Sequence, residues 1–172
     1  MGFRFSRTVA VLVCYDLASF CFTITKKVPD TMDNLFELGQ QALTAQPFSR
    51  LLGAQITVFR HGNAELAVPI TPDLLQQHGF VHGGVLSYSA DNALTFAGGS
   101  VLGPMVVTAE YKINYLKPAQ GTQLIARATV VTASARQAVC RCDVWSVTES
   151  GEELCAIAQG TIVILTGGSP HA

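Results

Sequence analysis

The residues equipped for chemistry cluster in one stretch, Gln76 to Ala97. It holds the amides of Gln76 and Gln77, the imidazole of His82, the adjacent glycines Gly83 and Gly84, and one carboxylate, Asp91. Gly79 and the Gly83-Gly84 pair mark a turn and a close backbone approach. From Val85 onward, Leu86, Ala90, Ala93, Leu94 and Ala97 recur at three- and four-residue spacing, the stripe of a buried helix. Ser87, Asp91 and Thr95 fall four apart on a second stripe. A glycine turn thus feeds a helix N-terminus, which offers unpaired N–H groups and a dipole favouring negative charge. An acid on a helix wrapped on most sides is costly unless it is satisfied or used. Used, it is a general base or a nucleophile; unused, it is a solvated or capping residue. His82 has two readings as well: it fixes the turn by hydrogen bonds, or it transfers a proton. Ser87 and Thr95 are expected to bond back to helix carbonyls.

These residues need a frame. Asp33 or Asn34 can cap a first helix whose face is Leu35, Leu38, Ala42 and Leu43, with Pro47 stopping it. Leu51 to Arg60 reads as a strand, His61-Gly62-Asn63 as its turn, and Ala64 to Ile70 as the returning strand. Thr71-Pro72-Asp73 opens the loop into the central stretch. Gly98-Gly99 and Gly103-Pro104 break the chain after the helix. Four strands follow, at 105–116, 121–133, 136–148 and 153–165, rich in Val, Ile, Thr and Tyr. Their connections, Pro118 to Gly121, Ser134-Ala135 and Glu149 to Gly151, are short, so successive strands are expected to pair antiparallel. One long buried helix, with two strands before it and four after, predicts an α+β domain in which a curled antiparallel sheet wraps the helix.

The chain of 172 residues suits one domain with a sizeable core, and its 49% hydrophobic and 13% charged content is that of a compact protein. A net charge of −1 and the lack of a Lys/Arg run exclude a nucleic-acid footprint. Cys140 and Cys142, two apart on one strand, share a face and are poorly placed to pair. With no C-x-x-C or paired His-Cys spacing, no metal is expected, and free thiols point to a reducing, cytoplasmic setting. Residues 1–31 differ from the rest. Val9 to Ile24 is apolar but holds Asp16, and at about 16 residues it falls short of the ~20 of a spanning helix. No stable membrane insertion is expected. The segment reads as a mis-assigned start upstream of Met32, as a targeting or membrane-surface segment, or as an ordinary extension. The domain proper is 32–166, and 167–172 reads as a flexible tail.

His82-Gly83-Gly84, Asp91 seven residues after Gly84, and the run Thr108 to Ala119 with its Tyr115-Leu116-Lys117-Pro118-Ala119 ending are familiar together. They resemble the hotdog-fold acyl-CoA thioesterases of the phenylacetate-degradation type, within the 4-hydroxybenzoyl-CoA thioesterase superfamily. The resemblance spans roughly Met32 to Leu165 and leaves residues 1–31 without a counterpart. It implies the hotdog fold and hydrolysis of an acyl- or aryl-coenzyme A by a homodimer or homotetramer. No cofactor is implied, since coenzyme A belongs to the substrate.

By the same resemblance, Asp91 is the catalytic base or nucleophile and the Gly83 N–H meets the thioester oxygen. An amide before the turn places substrate or water. That position is shared between Gln76 and Gln77, with Gln76, three residues before Gly79, preferred. Thr108 supports the attacking water. Gly84 keeps the approach to the backbone open, Tyr88 helps shape the acyl pocket, and Lys117 and Arg136 are candidates to meet the coenzyme A phosphates. Two other functions stand beside this one. An acyl dehydratase needs a catalytic histidine paired with a glutamate, for which His82 and Asp91 are poor substitutes. A non-catalytic acyl-CoA-binding module would bind without turnover.

Overall fold

The structure, a computed structural model, describes residues 32–166. The readings of residues 1–31 and 167–172 lie outside the described residues. Helix α1 (Met32–Ala45) turns Gly39 and Leu43 inward. Leu38 and Ala42, expected on that face, point to solvent instead. The cause is Gly39, where the Phe59 ring occupies the place a side chain would take. Pro47 stops α1, as expected, but it also begins a second helix, α2 (Pro47–Leu51). Its missing N–H is harmless at the first helical position. The strand expected from Leu51 therefore begins later, as β1 (Gln55–Arg60), and returns as β2 (Asn63–Pro69).

A 3-10 turn at Pro72–Leu74 leads into the loop before α3 (Gly83–Leu102). Gly98 and Gly99 do not break this helix. The space beside Gly98 is taken by Ile162, whose Cβ lies 2.6 Å from where a Cβ at 98 would stand. That glycine lets the helix lie close on the sheet rather than ending it. The helix ends at Gly103, whose φ of 102° disfavours any other residue.

Four strands complete the fold: β3 (Val106–Tyr115), β4 (Gln123–Ala133), β5 (Gln137–Thr148) and β6 (Gly151–Ile164). The sheet is six-stranded in the order β1-β2-β4-β5-β6-β3, antiparallel throughout. The expectation that successive strands are neighbours holds for β4, β5 and β6 and fails for β3 and β4. β3 forms the far edge beside β6, and Lys117 to Gly121 carry the chain back across the sheet to β4, beside β2. That crossing is anchored at Ala119, which is buried and accepts the Val81 N–H at 2.9 Å.

The sheet curls around α3, the hotdog arrangement. Ala90, Ala93, Leu94 and Ala97 are fully buried against Leu66, Val68, Leu124, Val144 and Ile162 of the concave face. Alanines on the helix let bulky strand residues approach its axis, the large-against-small packing of a dense core. Cys140, Cys142 and Cys155 are free and buried in the same core. Burial pushes the Cys140 thiol up to about 11 and Cys142 higher still, which makes both poor nucleophiles. Among the described residues, no helix is long and apolar enough to cross a membrane.

Candidate active site

The loop before α3 is closed on itself. Gln76 N–H donates to the Phe80 carbonyl at 2.7 Å, Gly79 N–H to the Gln76 carbonyl at 2.9 Å, and His82 N–H to the Leu74 carbonyl at 2.8 Å. Gly79 takes a φ of 81°, the left-handed conformation that this turn requires. The Gln76 side chain accepts the His78 N–H at 2.7 Å, which tightens the turn. Gln76 is half-buried and lines an open cleft of about 370 Å³ with Phe80, Gly83, Leu86, Tyr115 and Leu116. Gln77 is exposed and lies outside that lining. Both belong to the turn, and of the two only Gln76 lines the cleft.

His82 is the N-cap of α3, with extended backbone (φ −60°, ψ 134°), and its Nδ1 accepts the Gly84 N–H at 2.9 Å. Its carbonyl accepts the Val85 N–H at 2.9 Å. Two of the free N–H groups at the helix start are thus used, and among the described residues that of Gly83 has no acceptor. A Cβ at Gly84 would stand 3.0 Å from His82 Nδ1, so a side chain there would press on the cap.

The second stripe of α3 faces the edge strand β3. Tyr115 donates its hydroxyl to the Gly83 carbonyl at 3.1 Å, and Ser87 and Tyr111 share a hydrogen bond of 2.5 Å. Thr108 donates to Asp91 Oδ1 at 2.7 Å. Thr95 lies 2.7 Å from the Thr108 hydroxyl and 2.9 Å from the Asp91 carbonyl. Thr95 bonds back to the helix as expected; Ser87 does not, because the Tyr111 hydroxyl reaches it first. Gly83, Ser87, Asp91 and Thr95 are all half-buried, so this stripe forms one partly open face of α3 beside β3. Sequence reasoning misses Tyr111 and Tyr115 as site residues. Their alternation with Ile113 along β3 was the available signal, but the facing register of strand and helix was not.

Tyr88 lies on the other side of the helix. Its hydroxyl donates to Ser49 at 2.7 Å and accepts from Asn92 at 2.9 Å, and Ser49 in turn donates to the Gln46 amide at 2.5 Å. Burial pushes the Tyr88 phenol above its usual range, with the bonds to Ser49 and Asn92 opposing. Its ring meets Phe48 edge-on at 5.3 Å. The hydroxyl therefore ties α2 to α3, and the ring is what remains to shape a pocket.

Lys117 and Arg136 do not converge within one chain. Lys117 borders the cleft beside Gly83, but its Nζ pairs with Glu153 at 2.6 Å. Arg136 sits in the β4–β5 turn, where its carbonyl accepts the Ile164 N–H. Lys117 N–H bonds to the Cys155 carbonyl, nine residues before Ile164 on β6, so the two ends are about 30 Å apart at ~3.3 Å per residue. One chain cannot bring both cations to one phosphate cluster.

Residues 78–153 match the thioesterase superfamily. A thioesterase family protein from Silicibacter pomeroyi is 32% identical, with a TM-score of 0.72 over 75% of this chain and 96% of its own. The phenylacetic acid degradation protein PaaI from Thermus thermophilus, as a single-site variant, is 33% identical, with a TM-score of 0.62 over 70% of this chain and 100% of its own. A protein of Archaeoglobus fulgidus, provisionally described as an esterase, is 30% identical over 152 residues, 83% of this chain and 88% of its own.

Proposed function

Because the chain belongs to the thioesterase superfamily, we propose that it hydrolyses the thioester of an acyl- or aryl-coenzyme A to the free acid and coenzyme A. The observation that carries this reading is a pair: a Gly83 N–H left over at the capped start of α3, and Asp91 two turns along the same stripe of the helix with one oxygen fixed by Thr108. In the reaction the thioester carbonyl accepts the Gly83 N–H, which stabilises the tetrahedral oxyanion; losing one such donor costs about 3 kcal/mol in comparable sites. Asp91 then acts as general base toward water, or attacks the carbonyl to give an anhydride that water opens. Gln76 stands at the cleft to orient substrate or water, and Phe80, Leu86 and Leu116 give the cleft an apolar lining. His82 spends Nδ1 on the cap, which argues against the histidine-centred chemistry of a dehydratase.

Gly83 and Asp91 are eight residues apart on one continuous helix, about 12 Å along its axis. Donor and base must both reach one carbon or its attacking water, so each site draws Gly83 from one chain and Asp91 from its partner in a homodimer or a larger homo-oligomer. The test is a hydrolysis screen of short, long and aromatic acyl-coenzyme A esters with detection of the released thiol. Turnover of at least one is expected. Tight binding of these esters with no thiol release would make the chain a binding module instead.

A further inference from the structure

The cleft beside Gly83 has one charged residue in its lining, Lys117, at the rim where β3 runs out into the crossing loop. Its ammonium does not stand free there. Nζ meets Glu153 Oε1 at 2.6 Å, and the two side chains are 58% and 40% exposed. The backbone holds the pair together. Leu116 and Lys117 N–H both donate to the Cys155 carbonyl, at 2.8 and 3.3 Å, which fixes the base of Lys117 two residues from Glu153 along β6. The neighbouring acid does not compete for Lys117, because both oxygens of Glu152 accept from the Arg127 guanidinium, at 2.6 and 2.7 Å. Glu153 is therefore the carboxylate that neutralises the rim, and among the described residues it has no second cation.

A phosphate that reaches Lys117 must displace Glu153 or share the ammonium with it. In the first case a new ion pair only replaces an old one. In the second a carboxylate stands beside the phosphate, and like charges repel. Either way the net gain from the contact is small. We infer that Glu153 is a specificity-determining residue: by holding Lys117 it withholds the cation of the cleft from the phosphates of coenzyme A. It thereby reduces the preference for a coenzyme A ester over the ester of the same acid with uncharged pantetheine. This rests on the hydrolase reading and concerns which part of the thioester the cleft recognises. The rest of the lining, Gln76 with Phe80, Leu86 and Leu116, is uncharged and suits a pantetheine arm better than a nucleotide.

The experiment measures KM for one acid as its coenzyme A ester and as its pantetheine ester. Glu153→Gln keeps the shape and removes the charge; Glu153→Asp keeps the charge. Glu153→Gln should lower KM for the coenzyme A ester about three- to fivefold, the scale of an exposed ion pair, with kcat and the pantetheine KM within about twofold. That gain should vanish at high salt, which screens exposed charges, and in the double variant Glu153→Gln/Lys117→Gln, which has no cation to release. Glu153→Asp should stay within about twofold of wild type on both esters. An unchanged or raised KM for the coenzyme A ester in Glu153→Gln, an equal fall on the pantetheine ester, or a gain that survives the loss of Lys117 would each overturn the inference. If the wild-type chain turns over no ester, the hydrolase reading fails, and calorimetric titration with free coenzyme A and with pantetheine decides the role of Glu153. Tighter binding of coenzyme A alone in Glu153→Gln then supports it, and unchanged or absent binding ends it.

Discussion

Among the described residues Asp91 Oδ2 carries no hydrogen bond, while Oδ1 is held by Thr108. An asparagine in its place can still accept from Thr108 through its amide oxygen but cannot take a proton or attack. Asp91→Asn should therefore abolish turnover and leave the melting temperature unchanged; turnover within about threefold of wild type would remove Asp91 from the mechanism. His82 calls for a different comparison, because its cap and any proton transfer are lost together in His82→Ala. That variant should lose about 1 kcal/mol of stability with the cap and much of its turnover, as the Gly83 N–H is no longer held in place. Asparagine also caps helices but does not exchange protons near neutral pH. Recovery of turnover in His82→Asn is expected if the imidazole only fixes the turn, and an inactive His82→Asn of normal stability would give it a proton-transfer role.

At the scale of elements, Gly98 decides how closely α3 lies on β6. A methyl group there would meet Ile162 at 2.6 Å, and neither helix nor strand backbone can easily withdraw. Gly98→Ala should cost about 1–3 kcal/mol, the range of overpacked cores, seen as a lower denaturation midpoint; an unchanged midpoint would mean that the helix floats on the sheet. The same glycine shows where the sequence misleads. Read along the chain, Gly98-Gly99 resembles a helix end, because the reason for it lies on a strand more than sixty residues later. The apolar stripe Leu86-Ala90-Ala93-Leu94-Ala97 was legible because helical period is a local property. So were the hairpins β4–β5–β6, whose short turns determine their pairing. The placement of β3 at the far edge was not legible, since a short connection looks the same whether it returns beside its strand or crosses the sheet. In the site, the glycine turn, Asp91 and Thr108 could be read as parts, while the Thr95–Thr108–Asp91 line depends on a strand–helix register that spacing does not encode. Lys117 and Arg136 looked equivalent as strand-end cations, and only the direction of β6 sets them at opposite ends.

For the whole molecule, the proposed reaction makes the face that α3 and β3 share half a site in each chain. Among the described residues β3 is an edge of the sheet, with no strand paired to its outer side, and Val107 and Tyr115 along it are 41% and 54% exposed. Such an edge is a template for pairing with another chain. A two-fold axis at this edge would set the α3 helices antiparallel, with Gly83 of each beside the partner's carboxylate at position 91, and would generate two equivalent sites. Gly83→Pro is a clean way to damage one half. Proline is tolerated at the first helical position, the extended backbone of His82 suits a residue preceding proline, and what is lost is the one N–H that the oxyanion needs. Alone, Gly83→Pro and Asp91→Asn should each be inactive. In a mixed dimer, one site receives the proline turn and the asparagine together and the other receives neither. Random exchange of equal amounts makes about half of the dimers mixed, each with one intact site, so about a quarter of wild-type activity should return. Subunit exchange can be followed separately, by labelling the two variants with different fluorophores and measuring energy transfer. Confirmed exchange with no recovered activity, or an active wild-type enzyme that sediments as a monomer, would show that each chain completes its own site, and would require α3 to bring Gly83 and Asp91 together in a way that a straight helix does not permit.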